Sequence, residues 1–260
     1  MEHNESSFCS LWTEHIKINN CTNLFINEKL GEDYFFNRIS NTLCYYNGDT
    51  NHDDSTATSA LQNSLRIFSE RRLKCFVYID DSDAMMEAIL LKNKFTLLDT
   101  MHCFRSNMNN NTQLENPKIH VDKIGVNLLS VWVDIFCKSF NALDWKSEVH
   151  RILKTRFNEL TLLIGYIKSN SSQIPAGCAL LFNKNRLNGL YCLGTLDSFR
   201  HQGIAGKIVK ASLDLAKKSS NSFLICQAFT NQGFTEFYKK LGFQLVYKKK
   251  IYALMDDIRT

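Results

Sequence analysis

The stretch RHQGIAGKIVKASLDLAKK, residues 200 to 218, constrains this chain more than any other part of it. Three small residues, Gly203, Ala205 and Gly206, lead directly into Ile204, Ile208, Ala211 and Leu215 at spacings of three and four. That period places one apolar stripe on a helix. The apolar run before it, RLNGLYCLGTL (186 to 196), has the length of a strand, so the small residues lie where a strand turns into a helix. The first N–H groups of a helix lack intrahelical partners and carry roughly half a positive charge, which suits a phosphate. Gly203 and Ala205 leave those amides open to close approach, and Arg200 adds a full charge beside them. The same residues also suit a tight strand-to-helix turn that packs closely and binds nothing.

The rest of the sequence narrows the setting. The 260 residues are 44% hydrophobic and 22% charged, enough for one large core or two modest ones. No apolar run approaches the roughly 18 residues that span a bilayer, and the start MEHNESSFCSLW lacks the basic and apolar regions of a signal peptide. A soluble, cytoplasmic protein without membrane attachment is expected. The 9 cysteines lie too far apart to write a CxxC pair or a zinc knuckle, so no metal site is expected and most of them read as buried, reduced thiols. The net charge of +5 is unevenly spread: residues 1 to 116 carry 10 Lys+Arg against 16 Asp+Glu, whereas 117 to 260 carry 21 against 10. Charge alone leaves nucleic acid, an acidic membrane surface, the chain's own acidic half and a polyanionic cofactor as partners of the basic half. The Asn-rich segment RSNMNNNTQLENP (105 to 117) reads as a linker and divides the chain into domains of residues 1–110 and 111–260.

Beyond the linker the patterns follow one another as strand (KIHV, 118 to 121), two helices (NLLSVWVDIFCKSF and WKSEVHRILKTRF), three strands, the helix already described, strand (FLICQA), helix (FTEFYKKL) and strand (FQLVYKKKIYAL). Within this order, Arg200-His201-Gln202-Gly203-Ile204-Ala205 resembles the R/Q-x-x-G-x-G/A acyl-CoA signature of the GCN5-related N-acetyltransferases (GNAT). NQGFTEFYKKLGF (231 to 243) resembles the family's second signature through Asn231, Tyr238, Gly242 and Phe243, about 30 residues downstream as in the family. The resemblance spans roughly 118 to 254.

The resemblance implies an α+β fold of the α/β/α sandwich type, with a mixed, splayed central sheet, and an acetyl-CoA-dependent N-acetyltransferase without a metal. It implies that the turn from Arg200 through His201, Gln202, Gly203, Ile204 and Ala205 to Gly206 takes the pyrophosphate. Asn231 would contact the pantetheine or phosphate arm. The backbone of Leu193, Gly194 and Thr195 would pair with the pantetheine amides where the family's fourth and fifth strands splay. Tyr238 would protonate the leaving thiolate; a phenol with pKa near 10 suits that task.

Direct attack of an amine on a thioester needs a proton acceptor, yet GLYCLGTL and FLICQA contain no acidic residue or histidine. A water held by Tyr191 or Gln227, a helical residue such as Asp144, Glu148 or His150, and no catalysis at all remain open. In the acidic half, residues 75 to 108 follow the same strand-helix-strand course as 222 to 255, with Phe95 on Phe243, Asp83 on Asn231, Leu90 on Tyr238 and Lys94 in place of the glycine. NHDDSTATSA (51 to 60), where a phosphate turn belongs, offers no glycine and two aspartates. The expectation is a smaller, degenerate GNAT-like α/β domain that docks on the other half or walls the acceptor site. Three functions are weighed: an N-acetyltransferase acting on a primary amine, a non-catalytic acyl-CoA-binding or scaffold protein, and a nucleic-acid binder. The last is set aside because the lysine clusters at 217, 239 and 248 lack interleaved aromatics and read as solvated faces.

Overall fold

The computed structural model describes residues 2–30, 33–41, 54–107, 116–169, 172–184, 187–218 and 223–254. Most of the linker read over 105 to 117, and residues 51–53 of the stretch 51 to 60, lie outside them. The elements in chain order are α1 (Glu2–Trp12), β1 (Glu14–Lys17), β2 (Thr22–Ile26), β3 (Arg38–Asn41), α2 (Asp54–Glu70), β4 (Phe76–Asp80), α3 (Ala84–Lys92), β5 (Phe95–Asn107) and β6 (Ile119–Lys123). They continue with α4 (Leu129–Ser139), α5 (Lys146–Thr155), β7 (Leu160–Ser169), β8 (Ser172–Lys184), β9 (Leu187–Thr195), α6 (Ile204–Lys218), β10 (Phe223–Phe229), α7 (Thr235–Lys240) and β11 (Phe243–Leu254). Two compact units divide the chain, one of residues 1–11, 104–227 and 236–244, the other of residues 12–103, 228–235 and 245–260.

In the first unit β6, β7, β8 and β9 form an antiparallel run, and β10 adds to β9 in parallel, so the sheet is mixed and open. Helices flank it as in an α/β/α sandwich, the fold class expected from the sequence. Trp132 of α4 is fully buried and donates its indole N–H to the Ala179 carbonyl of β8 at 3.0 Å, tying that helix to the sheet. Two glycines set how closely α6 approaches. A Cβ added at Gly177 would stand 2.7 Å from Ile204 and 3.0 Å from Ile208, and one at Gly165 would meet the same two side chains at 3.0 Å. The first turn of α6 therefore lies hard against β7 and β8. At the N-terminus, Phe8 of α1 stacks on Tyr191 of β9 with ring centroids 3.6 Å apart, and the Tyr191 hydroxyl donates to Asn4 Oδ1 at 2.8 Å.

The second unit repeats the course of the first. An antiparallel run β1, β2, β3 is followed by α2, by β4 parallel to β3, then by α3 and β5. The later part of the chain runs in the corresponding order β7, β8, β9, α6, β10 parallel to β9, then α7 and β11, whose residues from 245 on belong to the second unit. Detail supports the correspondence. Lys94 before β5 has φ +64° and Gly242 before β11 has φ +81°, so both halves make the same left-handed exit from the helix. Asp83 caps α3 by accepting from the Met86 N–H at 3.0 Å. The core gathers Leu24, Ile39, Phe68, Val77, Leu90 and Tyr252, and β11 pairs antiparallel with β4 from Lys249–Asp80 to Ala253–Phe76.

One carboxylate in this unit gives its stability a pH signature. Burial raises Asp33 from 3.8 to about 6, against the opposing pull of the Phe35 and Phe36 amides and of Arg38. A carboxyl raised in the folded state binds its proton more tightly there, so its contribution is fully present below about pH 4 and is lost as pH rises through 6. Glu87, held low by Lys250 and Tyr252, acts with the opposite sign. Asp33→Asn is therefore expected to raise stability at pH 7 by about 1–3 kcal/mol relative to the parent, with the gain vanishing near pH 4. Chemical denaturation of both proteins from pH 4 to 7 measures it, and a pH-independent difference contradicts it.

Among the described residues, six of the seven cysteines outside a disulfide are buried, as small apolar side chains, while Cys21 is disulfide-bonded. Among the described residues no helix is long and apolar enough to cross a membrane, and no three His, Cys, Asp or Glu side chains gather as a metal site.

Candidate active site

The parallel pairing of β9 with β10 covers only Asn188–Leu224, Gly189–Ile225 and Leu190–Cys226. Just beyond it β9 carries a bulge: Tyr191 faces Leu180 and Gly194 faces Cys178, so β9 has one residue more than β8 across the interval. Cys192 takes the left-handed conformation there, φ +54°. A bulge bends its strand and ends regular pairing. Gly194 and Thr195 stay paired to β8 on one side, and the pairing of β9 with β10 ends at Leu190, which leaves the other edge of Leu193 to Thr195 open. Gly194 is required by packing, since a Cβ would stand 2.8 Å from Ser139 Cβ and 3.0 Å from Phe140.

From that edge the chain enters the turn. His201 has φ +62° and Gly203 φ +92°, and α6 begins at Ile204. His201, Gln202 and Gly203 are exposed, whereas Ile204 and Gly206 are buried and Ala205 half-buried. Around Gly203 there is room, since a Cβ would meet only Ile119 at 3.8 Å; its backbone conformation is what calls for glycine. Arg200 is turned back onto the strand end. It pairs with Asp197 at 2.8 Å and reaches the Thr195 and Ser139 carbonyls at 3.4 Å.

Tyr238 lies in the same unit on α7, buried between Phe104 and Phe243 at centroid distances of 5.4 and 5.5 Å. Burial pushes its phenol well above the ordinary range, and a hydrogen bond with the Cys226 thiol adds to the shift. Asn231 falls in the second unit. Its side chain hydrogen-bonds with Tyr34, whose phenol burial pushes up to about 12, and its backbone N–H donates to Asp99 Oδ1 at 3.4 Å. Residues 193–195, 200–206 and Tyr238 thus belong to the first unit, and Asn231 belongs to the second.

The residues weighed as proton acceptors are placed differently from one another. Tyr191 is buried, its hydroxyl donating to Asn4 and its ring stacked on Phe8. Glu148 is buried beneath a bidentate pair with Arg151, at 2.7 and 2.9 Å, which uses both its oxygens. Asp144 and His150 line an open groove between α4 and α5, where His150 Nε2 lies 3.4 Å from Ser130 Oγ. Gln227 is the first β10 residue past the paired segment, and its Nε2 is buried without a hydrogen-bond partner. Sequence reasoning missed the bulge at Cys192, the left-handed His201 and the contact of Ser139 with Gly194. The first two positions carry none of the Gly, Asn or Asp that signal such backbone, and the third joins residues 55 apart.

Residues 130–243 match the sequence model of the acetyltransferase (GNAT) family. No curated protein matches the chain. Among solved structures, a GCN5-related N-acetyltransferase from Kribbella flavida superimposes with a TM-score of 0.73 at 10% identity, over 97% of this chain and 93% of the other. One from Sphaerobacter thermophilus gives 0.67 at 10% identity, over 91% and 81%. A tandem GNAT protein from the clavulanic acid biosynthesis pathway, solved without acetyl-CoA, gives 0.61 at 8% identity over 83% and 74%. The fold is that of the GNAT acetyltransferases, and it occurs in tandem arrangement among these structures.

Proposed function

We propose that the protein is an acetyl-CoA-dependent N-acetyltransferase that acts on a primary amine by direct attack in a ternary complex, within the cytoplasm. The reading is carried by one observation: the open edge of Leu193 to Thr195 runs into a positive-φ turn and the N-terminus of a 15-residue helix. A strand edge suits an extended amide-bearing arm, and a helix N-terminus suits its pyrophosphate. Arg200 leaves its ion pair with Asp197 cheaply, because both are exposed and such pairs are worth about 0–1 kcal/mol. In the reaction the neutral amine attacks the thioester carbonyl carbon, the C–S bond breaks, and the departing thiolate takes a proton from Tyr238 while the amine loses one to solvent. The unit built on residues 12–103 is assigned the role of a degenerate GNAT-like half that binds no CoA.

A second reading, a non-catalytic acyl-CoA-binding or scaffold protein of the same fold, is favoured by the burial of Tyr238 against Cys226. A panel of amino sugars, polyamines and peptides incubated with acetyl-CoA separates the two. The first reading expects amine-dependent release of free thiol; binding of acetyl-CoA with no release for any amine supports the second, and no binding contradicts both.

A further inference from the structure

Two buried polar atoms of the first unit, Ser139 Oγ and Gln227 Nε2, have no hydrogen-bond partner. Both border the open edge of β9. Ser139 closes α4, and its Oγ lies 3.1 Å from where a Cβ would stand on Gly194. Gln227 follows Cys226, the last β10 residue paired to β9. Side chains alternate along a strand, and Cys226 meets the Tyr238 hydroxyl of α7, so Gln227 projects from the opposite face, away from α7. A buried polar atom left unpaired costs stability, and native structures satisfy nearly all of them. Two such atoms on either side of one gap in the sheet call for a common partner that enters it. An amide NH₂ only donates, so the partner brings an acceptor; a hydroxyl serves in either sense.

Building on the proposed acyl-CoA reading, we propose that Ser139 and Gln227 are substrate-contacting side chains that hydrogen-bond the acyl-pantetheine arm, Gln227 donating to one of its carbonyl oxygens. The backbone edge of Leu193 to Thr195 holds the extended arm as an added strand. The two side chains fix how far along that edge the thioester sits.

The test pairs stability with binding in Gln227→Leu, Ser139→Ala and the double variant. Acetyl-CoA and 3′-phospho-ADP, which lacks the arm, are titrated calorimetrically into each. Gln227→Leu replaces an unsatisfied amide with an apolar group of similar size, so it is expected to melt at the same or a higher temperature. Its affinity for acetyl-CoA is expected to fall about three- to tenfold, the range of one neutral hydrogen bond, with affinity for 3′-phospho-ADP unchanged. Ser139→Ala is expected to behave likewise. A lower melting temperature with unchanged acetyl-CoA affinity would assign both residues to the fold and overturn the proposal, as would variants that match the parent in every measurement. Failure of the parent chain itself to bind acetyl-CoA defeats the proposed function, and this inference with it.

Discussion

A polypeptide of residues 111–260 alone is expected to be insoluble or to lack a cooperative melt. It spans every element of the acyl-CoA reading, yet it loses two supports. Helix α1 belongs to the same compact unit as β9, where Phe8 is buried against Tyr191 and Asn4 accepts from the Tyr191 hydroxyl. Removing α1 forfeits roughly 1.5–3 kcal/mol of Phe8 burial and the net contribution of the Tyr191–Asn4 hydrogen bond, about 0.5–1.5 kcal/mol. Against a typical total of about 5–15 kcal/mol that is a large share. The fragment also loses β4, the partner of β11 from Lys249 to Ala253, and exposes an unpaired edge that includes buried Ile251 and Tyr252. Such an edge invites aggregation. Expression followed by calorimetry checks this, and a soluble fragment with a single sharp transition and acetyl-CoA affinity intact contradicts it.

Tyr238→Phe is expected to slow thiol release by about 10²-fold, the lower end of the range for general acids, with acetyl-CoA affinity nearly unchanged. The ring contacts with Phe104 and Phe243 survive the change, so the fold persists. The estimate sits at the lower end because burial raises the phenol well above its ordinary range. Transfer of its proton to a thiolate, whose ordinary pKa is about 8.5, is then uphill. The phenol must also exchange its bond with Cys226 for one to the leaving sulfur. Full activity in the variant would mean that water protonates the thiolate, and would remove Tyr238 from the mechanism.

The order of elements from β6 to β11 was legible because each carries its own period. Ile204, Ile208, Ala211 and Leu215 mark α6, and apolar runs of strand length mark β7, β8 and β9. Gly242 stands in a Gly-Phe pair and Lys94 aligns with it, yet both take a left-handed backbone that neither pattern announced. The first 74 residues gave no such purchase. Helix α1 has the sequence EHNESSFCSLW, in which buried Asn4 and Glu5 sit beside Phe8 and Cys9, so polar residues occupy the inward face and blur the period. Strands β1 to β3 are only four or five residues long. At the site, the turn from Arg200 to Gly206 was readable because glycine and a positive charge are local signals. The commitment of Tyr191 to Asn4, 187 residues away, and the burial of Tyr238 against Cys226 are tertiary facts that no local pattern carries.

The central claim is that acyl-CoA binds the first unit through the turn at Gly203. Calorimetric titration of acetyl-CoA into the parent chain and into Gly203→Val tests it. A β-branched residue at φ +92° is strained and forces the turn to rearrange, moving the amides at the start of α6. Saturable binding by the parent that weakens at least tenfold in the variant, with circular dichroism unchanged, is the result expected. Equal affinity in the two proteins would place the phosphates elsewhere and contradict the account.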